Sequence, residues 1–418
     1  MDNGIVFLGV MFAMLIIFII LESHNNKHPW KVGHHTGAII VIGALFSIIY
    51  YFSEGNSHEG ESYFEFKPAV YWNLLVPPLI FNAGYNMNRK MYFLNFGNIF
   101  IFGVLVTITC FIIYSGMTYY VIHYMGVNMT RYRNDLDPSL PMTETEKINM
   151  SLMDIFLWSA SLLATDVVEV DFAAHPNLYA TILGEVGLNN NEAIVLFNTL
   201  SSMKDKQISK NLIGIIIGDF ILVLIVSILA GIFFGVLGSL MFKYLRWLSG
   251  NSVLETFLFC IMGLLSYYAG TGLFVNNVRL SGICIYVTGI IFGHYAYYNL
   301  SPQGKAVTKV TISFMGHAGE AGIWCYVGLA LYSSIPGYWS WSFIGWELLI
   351  IVVGRIIAVI FCFYLIKLCY PTTFLTFSEV MYITFYGMIR GAVAFANAIN
   401  FPWVRCEGTE YCEAKKYY

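Results

Sequence analysis

The sequence predicts an all-α polytopic membrane protein, and two observations carry that prediction. Hydrophobic residues make up 58% of the 418 residues and charged residues only 11%, whereas soluble domains average about 25% charged residues. The chain also contains about twelve apolar runs close to the roughly 20 residues that one transmembrane helix needs. A mean hydropathy of +0.67 agrees with a single membrane domain.

The apolar runs place the helices in order along the chain. They predict helices at about 5–21, 37–52, 69–85, 96–122, 151–173, 176–201, 212–242, 253–268, 281–297, 310–331, 344–366 and 378–399. The third run contains Pro77 and Pro78, which predict a bend because proline removes a backbone donor. The glycine pairs 214/218 and 231/235 predict close helix approach in the seventh.

Charge and cysteine content exclude several function classes. The net charge of −3 is small and spread along the chain, so no nucleic-acid partner is expected. The eight cysteines lack metal-ligand spacing, and no nucleophile–base pair is evident, so we expect neither an enzyme nor a cofactor. Cys406 and Cys412 lie in a polar tail and could form a disulfide if that tail is extracellular.

The stretch 158–200 carries many acids and amides for so apolar a chain. Two apolar segments flank a polar gap at 173–177. The polar residues are Thr165, Asp166 and Glu169 in the first segment, and Glu185, Asn189, Asn190, Asn191 and Glu192 in the second. A carboxylate at membrane depth is costly unless it binds a cation, pairs or takes a proton. We therefore expect this stretch to handle ions.

Three later helices each contain a charge inside an apolar run. The charges are Glu320, Arg355 and Arg390. Because Arg390 lies well inside its run, it cannot reach the membrane surface by extending its side chain. We expect the three residues to belong to a buried charge network, with the pairing of acids and arginines left open.

Basic residues in the loops indicate the orientation, because Lys- and Arg-rich turns face the cytoplasm. Lys27 and Lys31 lie in the turn after the first predicted helix, and Arg89 and Lys90 lie in the turn after the third. They place the N-terminus and the polar loop at 126–150 outside, so the sequon Asn128-Met-Thr is a glycosylation candidate. The lysines just after 201 fall outside by the same count, against the rule. We expect an integral protein of the plasma membrane rather than of an organelle.

Five motifs in order resemble the sodium/proton exchanger family of monovalent cation:proton antiporters. LVPPLIFNAGY at 75–85 is similar to the family's LLPP…DAGY segment, and Ala164-Thr165-Asp166 to its TDP segment in an unwound helix. Residues 184–196 resemble GES-x-L-ND, 280–282 the recurrent LSG, and 387–395 the GLRGAIAF segment.

The resemblance implies an inverted-repeat antiporter fold with two crossing broken helices, at 157–173 and 384–399. About 12 transmembrane helices are present and the last family helix is missing, so a fragment of a longer protein is expected. Members of the family form a homodimer through a scaffold part, which in this chain would comprise about 1–92 and 203–335. The core part would be 93–202 and 336–400, with 401–418 a polar tail. A larger membrane complex could form through the missing C-terminal tail.

The resemblance also implies an ion-binding set, namely Thr165, Asp166, Glu185, Asn189 and Asn190. This chain departs from the family at Asn190, where the family has the aspartate that exchanges Na⁺ for H⁺. An amide offers an oxygen to a hard cation but has no proton to exchange. Glu169 and Glu192 are the acids that could replace the missing aspartate. Glu185 could have a structural role instead of binding the ion.

Two functions from different classes stay open. The first is electroneutral sodium (or other monovalent cation)/proton antiport by alternating access, with a carboxylate-centred site, a role in pH regulation, and transported Na⁺ and H⁺ as the only ions. The second is a transport-inactive exchanger-like subunit or sensor of a larger complex. A channel-like uniport is a weaker third, in which the amides line an ion path.

Overall fold

The computed structural model describes residues 3–28, 35–53, 67–132, 143–148, 150–166, 175–204, 210–275, 278–279, 282–333, 338–369 and 375–401. Within these ranges nearly all regular structure is helical, which confirms the predicted fold class. Five of the described helices are long and apolar enough to cross a membrane, namely Phe7–Asn25, Phe96–Met125, Leu212–Tyr244, Ser252–Gly272 and Trp341–Leu365.

The helices follow the predicted apolar runs closely. The first half contains α1 (Asn3–Lys27), α2 (His35–Ser53), α3 (Pro68–Val70), α4 (Val76–Asn86), α5 (Arg89–Leu94), α6 (Phe96–Phe100), α7 (Val106–Tyr120), α8 (Leu152–Ser161) and α9 (Pro176–Ser202). The second half contains α10 (Lys210–Tyr244), α11 (Ser252–Gly272), α12 (Ile283–Ile291), α13 (Tyr297–Asn299), α14 (Pro302–Ser333), α15 (Trp341–Cys369), α16 (Phe377–Tyr386) and α17 (Ala392–Ile399).

Several neighbouring helices are continuous through wider, π-helical turns. Such turns lie at Tyr71–Leu75, Ile101–Leu105, Val121–Met125 and Phe292–Ala296. The first immediately precedes the prolines of α4, and a wider turn there accommodates the missing backbone donors. The bend that Pro77 and Pro78 predict therefore takes the form of a π-helical turn just before them.

Short strands occupy the loop that the sequence left without regular structure. β1 (Asn128–Tyr132) pairs antiparallel with β2 (Thr143–Lys147) and with β5 (Tyr338–Trp339). β3 (Phe274–Val275) and β4 (Val278–Arg279) form a separate hairpin. The β1–β2 pairing is local and was not predicted from the sequence, whereas β5 joins it from about 200 residues away.

Apolar packing gathers α7, α8, α9, α15 and α16 around one buried cluster. A second cluster joins α4, α11, α12 and α14, and α14 also packs against α2 at Gly43 and Gly328. A Cβ added at Gly43 would lie 2.8 Å from the backbone of Gly328, so only glycine permits this contact. The division into scaffold (1–92, 203–335) and core (93–202, 336–400) stays a prediction.

Candidate functional site

Two short helices of the same design lead into the site. α8 and α16 are each 10 residues long, and each begins with a capping box, formed by Ser151 and Asp154 in α8 and by Thr376 and Glu379 in α16. A capping box satisfies backbone donors that a helix start would otherwise leave exposed. The matched lengths and caps are what an internal repeat predicts.

The extended segments that follow the two helices cross. Thr165 and Arg390 form an antiparallel bridge. The backbone N–H of Asp166 donates to the carbonyl of Ile389 at 3.2 Å. The chain resumes as a helix at Ala392 on one side, whereas residues 167–174 on the other side lie outside the described residues. The crossing of two broken helices is thereby confirmed.

Arg390 fastens this crossing. Its Nη1 donates to the carbonyl of Leu163 at 2.9 Å and its Nη2 to the hydroxyl of Tyr114 at 2.6 Å. Leu163 follows the C-terminal end of α8, where carbonyl groups point outward and carry partial negative charge. The sequence placed Arg390 inside a helix; instead it lies in the extended break, where it supplies the opposite charge.

The second arginine forms the buried ion pair of the site. Arg355 of α15 pairs with Glu185 of α9, and the two side chains are 1% and 3% exposed. A buried charge needs such a partner because desolvation is otherwise uncompensated. This contact assigns Glu185 a structural partner, the alternative to its predicted role as an ion ligand.

Glu320 is more exposed than a buried charge network requires, and its place in such a network stays a prediction. Its side chain is 41% exposed, and it lies 3.9 Å from His317 on the same helix. The charge that balances Arg355 comes instead from Glu185. The packing at the site also explains why two positions of the 387–395 motif are glycine. A Cβ at Gly387 would collide with the Arg355 guanidinium, and one at Gly391 would lie 3.3 Å from the Asp166 side chain.

Asn189 links three elements at the crossing. Its Oδ1 accepts from the backbone N–H of Thr165 at 3.2 Å, and its Nδ2 donates to the hydroxyl of Thr107 at 2.8 Å. Thr107 in turn donates to the carbonyl of Gly103 at 2.7 Å. Asn189 therefore positions the unwound segment after α8. Sequence reasoning missed Thr107, because a threonine in an apolar helix carries no signal of its own.

Several buried oxygens at Thr165 and along α9 have no hydrogen-bond partner among the residues that the structure describes. They are Thr165 Oγ1, Asn190 Oδ1, Asn191 Oδ1 and Glu192 Oε2. Buried polar atoms are normally satisfied, and exceptions indicate a site for water or an ion. Oxygen ligands of this kind suit hard cations. Asp166, next to Thr165 in the chain, is half-buried.

Some of the remaining predicted residues lie within the described ranges and others do not. Glu169, Cys406 and Cys412 lie outside the described residues. Asn128 is exposed at the start of β1, as a glycosylation site requires. One buried acid was missed: Glu347 of α15 accepts from the hydroxyl of Thr118 at 2.9 Å. Its position in an apolar run is the same signal that drew attention to Arg355.

Residues 8–402 match the transmembrane domain of the sodium/hydrogen exchangers. The chain belongs to this family. It is 27% identical to sodium/hydrogen exchanger 5 of Arabidopsis thaliana over 93% of this chain and 71% of that relative. It is 26% identical to sodium/hydrogen exchanger 8 of Rattus norvegicus over 86% and 59%, respectively. With an uncharacterized Na(+)/H(+) antiporter of Schizosaccharomyces pombe, the identity is 25% over 78% and 54%.

The structural comparison agrees on the fold. The sodium proton antiporter MjNhaP1 from Methanocaldococcus jannaschii, solved at pH 8, superposes with a TM-score of 0.60 at 14% identity, over 95% of this chain and 86% of that one. This exchanger-family chain spans 54% to 71% of the length of the three relatives named above. Its family and fold are therefore established.

Proposed function

We propose that this chain is the membrane domain of a sodium (monovalent cation)/proton antiporter. The observation that carries the proposal is the crossing at Thr165 and Arg390. Asp166 is fixed there through its backbone, next to Thr165, whose buried Oγ1 has no hydrogen-bond partner among the described residues. Family membership supports the same activity. Such a site offers a cation oxygen ligands and a carboxylate where water is scarce.

The residues divide into ligands and supports. Asp166 and Thr165 would hold the cation, with Asn190 contributing its carbonyl oxygen. Asn189 positions the segment that carries the first two, through its bond to the Thr165 backbone. Arg355 with Glu185, and Arg390 with Leu163, keep both breaks in place.

The transport cycle follows from competition at one site. A buried carboxyl binds either a cation or a proton, because either one removes the cost of an uncompensated charge. One cation exchanged for one proton is electroneutral, and the two gradients drive it. Movement of the core against the scaffold would expose the site to each side in turn.

The test is Na⁺-driven proton movement in proteoliposomes that contain the purified chain and a pH-sensitive dye. We expect exchange in the wild type, loss in Asp166→Asn, and wild-type rates in the control Glu22→Gln, an acid near the end of α1. Substituting K⁺ or Li⁺ gives the selectivity. Absence of wild-type exchange, with activity gained in Asn190→Asp, would support the inactive subunit or sensor instead.

The assembly and location of the protein belong to the same proposal. A homodimer in plasma membrane lipid, with the N-terminus outside and a role in pH regulation, fits the family and the charge of the turns. Exposure of Asn128 supports a glycan on the outer face. An amidase-sensitive loss of mass in the wild type, absent in Asn128→Gln, tests both the glycan and the orientation.

A further inference from the structure

We infer that His24 and His28, on the last turn of α1, form a two-ligand site for a divalent metal ion that prefers nitrogen ligands, such as Zn²⁺. Imidazole nitrogen is a ligand that Zn²⁺, Ni²⁺ and Cu²⁺ all bind. Four of the nine histidines in the sequence lie at positions 24, 28, 34 and 35, just after the first apolar run. The proposed transport function uses none of them.

The last turn of α1 is regular, which places the two histidines one above the other. α1 extends from Asn3 to Lys27, and the backbone N–H of His28 donates to the carbonyl of His24 at 2.8 Å. Residues four apart on an α-helix share a face, with their Cβ atoms about 5–6 Å apart. Both side chains are exposed, so neither is buried where α1 packs against α2 and α14.

The separation of the two rings fits a shared metal ion. Their centroids are 5.4 Å apart, and the ring planes are inclined at 50°. With a Zn–N bond of about 2.0–2.1 Å and a tetrahedral angle of about 109°, two imidazoles on one zinc ion have centroids about 5.2 Å apart. Because both side chains are exposed, rotation about the Cβ–Cγ bond can turn one nitrogen of each ring toward the same point.

Helical spacing alone does not produce this arrangement of rings. Tyr119 and His123 are also four residues apart on one helix, yet their rings are stacked with centroids 4.1 Å apart and planes at 23°. The rings of His24 and His28 are farther apart and are not parallel. Their arrangement therefore leaves space for an ion between the two nitrogen atoms.

The surroundings of the pair favour a bound cation. No carboxylate forms an ion pair with either ring in the part of the chain that the structure describes. The C-terminal end of a helix carries partial negative charge, which attracts a positive ion. That charge explains one histidine here as well as it explains Lys27, but it sets no spacing between two histidines. The spacing is what a chelating pair requires.

Two protein ligands make an open site. In the described residues, no group of three or more His, Cys, Asp or Glu side chains could hold a metal ion, whereas structural zinc sites use four ligands. Water would complete the coordination shell at His24 and His28. The ion would therefore exchange with the solution, and its occupancy would follow the concentration of free metal, as expected of a regulatory ligand.

Bound metal would hold the end of α1 in its helical form. A bridge between the two rings spans the same interval as the backbone hydrogen bond from His28 to His24. A ligand that binds the helical turn and not the frayed one shifts the population toward the helix. We expect Zn²⁺ to slow amide hydrogen exchange in this turn.

Calorimetric titration with Zn²⁺ tests the site. The whole chain is purified in detergent through a tag without histidine and titrated in mildly alkaline buffer, because protons compete with metal for imidazole. We expect His24→Gln and His28→Gln each to weaken the wild-type binding step at least about tenfold, since one imidazole alone lacks the gain from simultaneous attachment. His123→Gln is the matched control, an exposed histidine in the stacked pair, and should bind Zn²⁺ as the wild type does.

A variant that moves one histidine separates geometry from composition. Ser23→His combined with His24→Gln keeps the number of histidines but places the two imidazoles five residues apart, about 140° around the helix. It should bind Zn²⁺ as weakly as the single variants, and elution as one species checks that it is folded. Wild-type affinity in this variant or in His28→Gln would overturn the inference, as would a wild type without a Zn²⁺ binding step.

Hydrogen exchange gives a second, local readout. Zn²⁺ should slow exchange of the amides in the last turn of α1 in the wild type and leave it unchanged in His28→Gln. Equal slowing in both would place the ion elsewhere and refute the site. Neither measurement involves transport, so the site can fail while the proposed antiport stands, and the antiport can fail while the site stands.

Discussion

The buried pair Arg355–Glu185 gives the most quantitative prediction. Its side chains are 1% and 3% exposed, so solvent cannot compensate a charge left alone there. Removing one partner of a buried pair costs about 3–5 kcal/mol. We place Glu185→Gln in this range, because a guanidinium stays charged at any working pH and Arg355 would keep its charge in the same enclosed position.

The two halves of the pair should differ. In Arg355→Met the remaining Glu185 can take a proton, so this variant should lose less stability than Glu185→Gln. The double variant should lose less than the sum of the two, because no charge is left unpaired. Glu347→Gln is the control, and we expect it to lose about 1 kcal/mol, as for one hydrogen bond to a neutral hydroxyl.

Unfolding in mixed micelles with rising denaturing detergent measures these differences, followed by tryptophan fluorescence. All four variants and the wild type are compared in one lipid and detergent system. Single variants that each cost under about 1 kcal/mol, or losses that add within about 0.5 kcal/mol in the double variant, would refute the reasoning. The pair would then not be the buried, coupled unit that its geometry indicates.

Two further predictions concern the crossing. In Gly387→Ala the new methyl group meets the Arg355 guanidinium, so we expect a loss of about 1–3 kcal/mol in the same unfolding assay. The control Gly345→Ala, with nothing within 4 Å of the new methyl group, should leave stability unchanged. Equal stability of the two variants would contradict the contact. Asn189→Ala leaves the Thr165 N–H without its acceptor, which costs about 1–3 kcal/mol when the group is buried. Amide hydrogen exchange at Thr165 should therefore accelerate. Unchanged protection there would show that Asn189 does not hold the segment.

The sequence predicted the elements of the site better than their contacts. The motif resemblance located both breaks, because the residues that unwind a helix are local. The partner of Arg355 was not readable, since Glu185 is 170 positions away and spacing carries no information over that distance. Glu320 was chosen because it is an acid in an apolar run, but an exposed helix face gives the same pattern.

Supporting residues were the hardest to predict. Thr107 holds Asn189, and Tyr114 holds Arg390. Both lie in the helix that the sequence described only as apolar. A hydroxyl in such a helix usually bonds back to its own backbone, so its tertiary partner appears only when the neighbouring helices are placed. By contrast, the glycines of the 387–395 motif stood out in the sequence only as part of the motif. The packing around Gly387 and Gly391 explains why those positions lack a side chain.

The small sheet of β1, β2 and β5 has a mechanical consequence. β1 follows α7 and β5 precedes α15, so their shared hydrogen bonds join two long helices at their ends. The hydroxyl of Ser340 adds a bond to the carbonyl of Asn128 at 2.6 Å. Separating the ends of α7 and α15 by one strand spacing, about 4.8 Å, would break this connection. Any motion that keeps the sheet intact must therefore carry the two helices together, because the sheet links their ends mechanically.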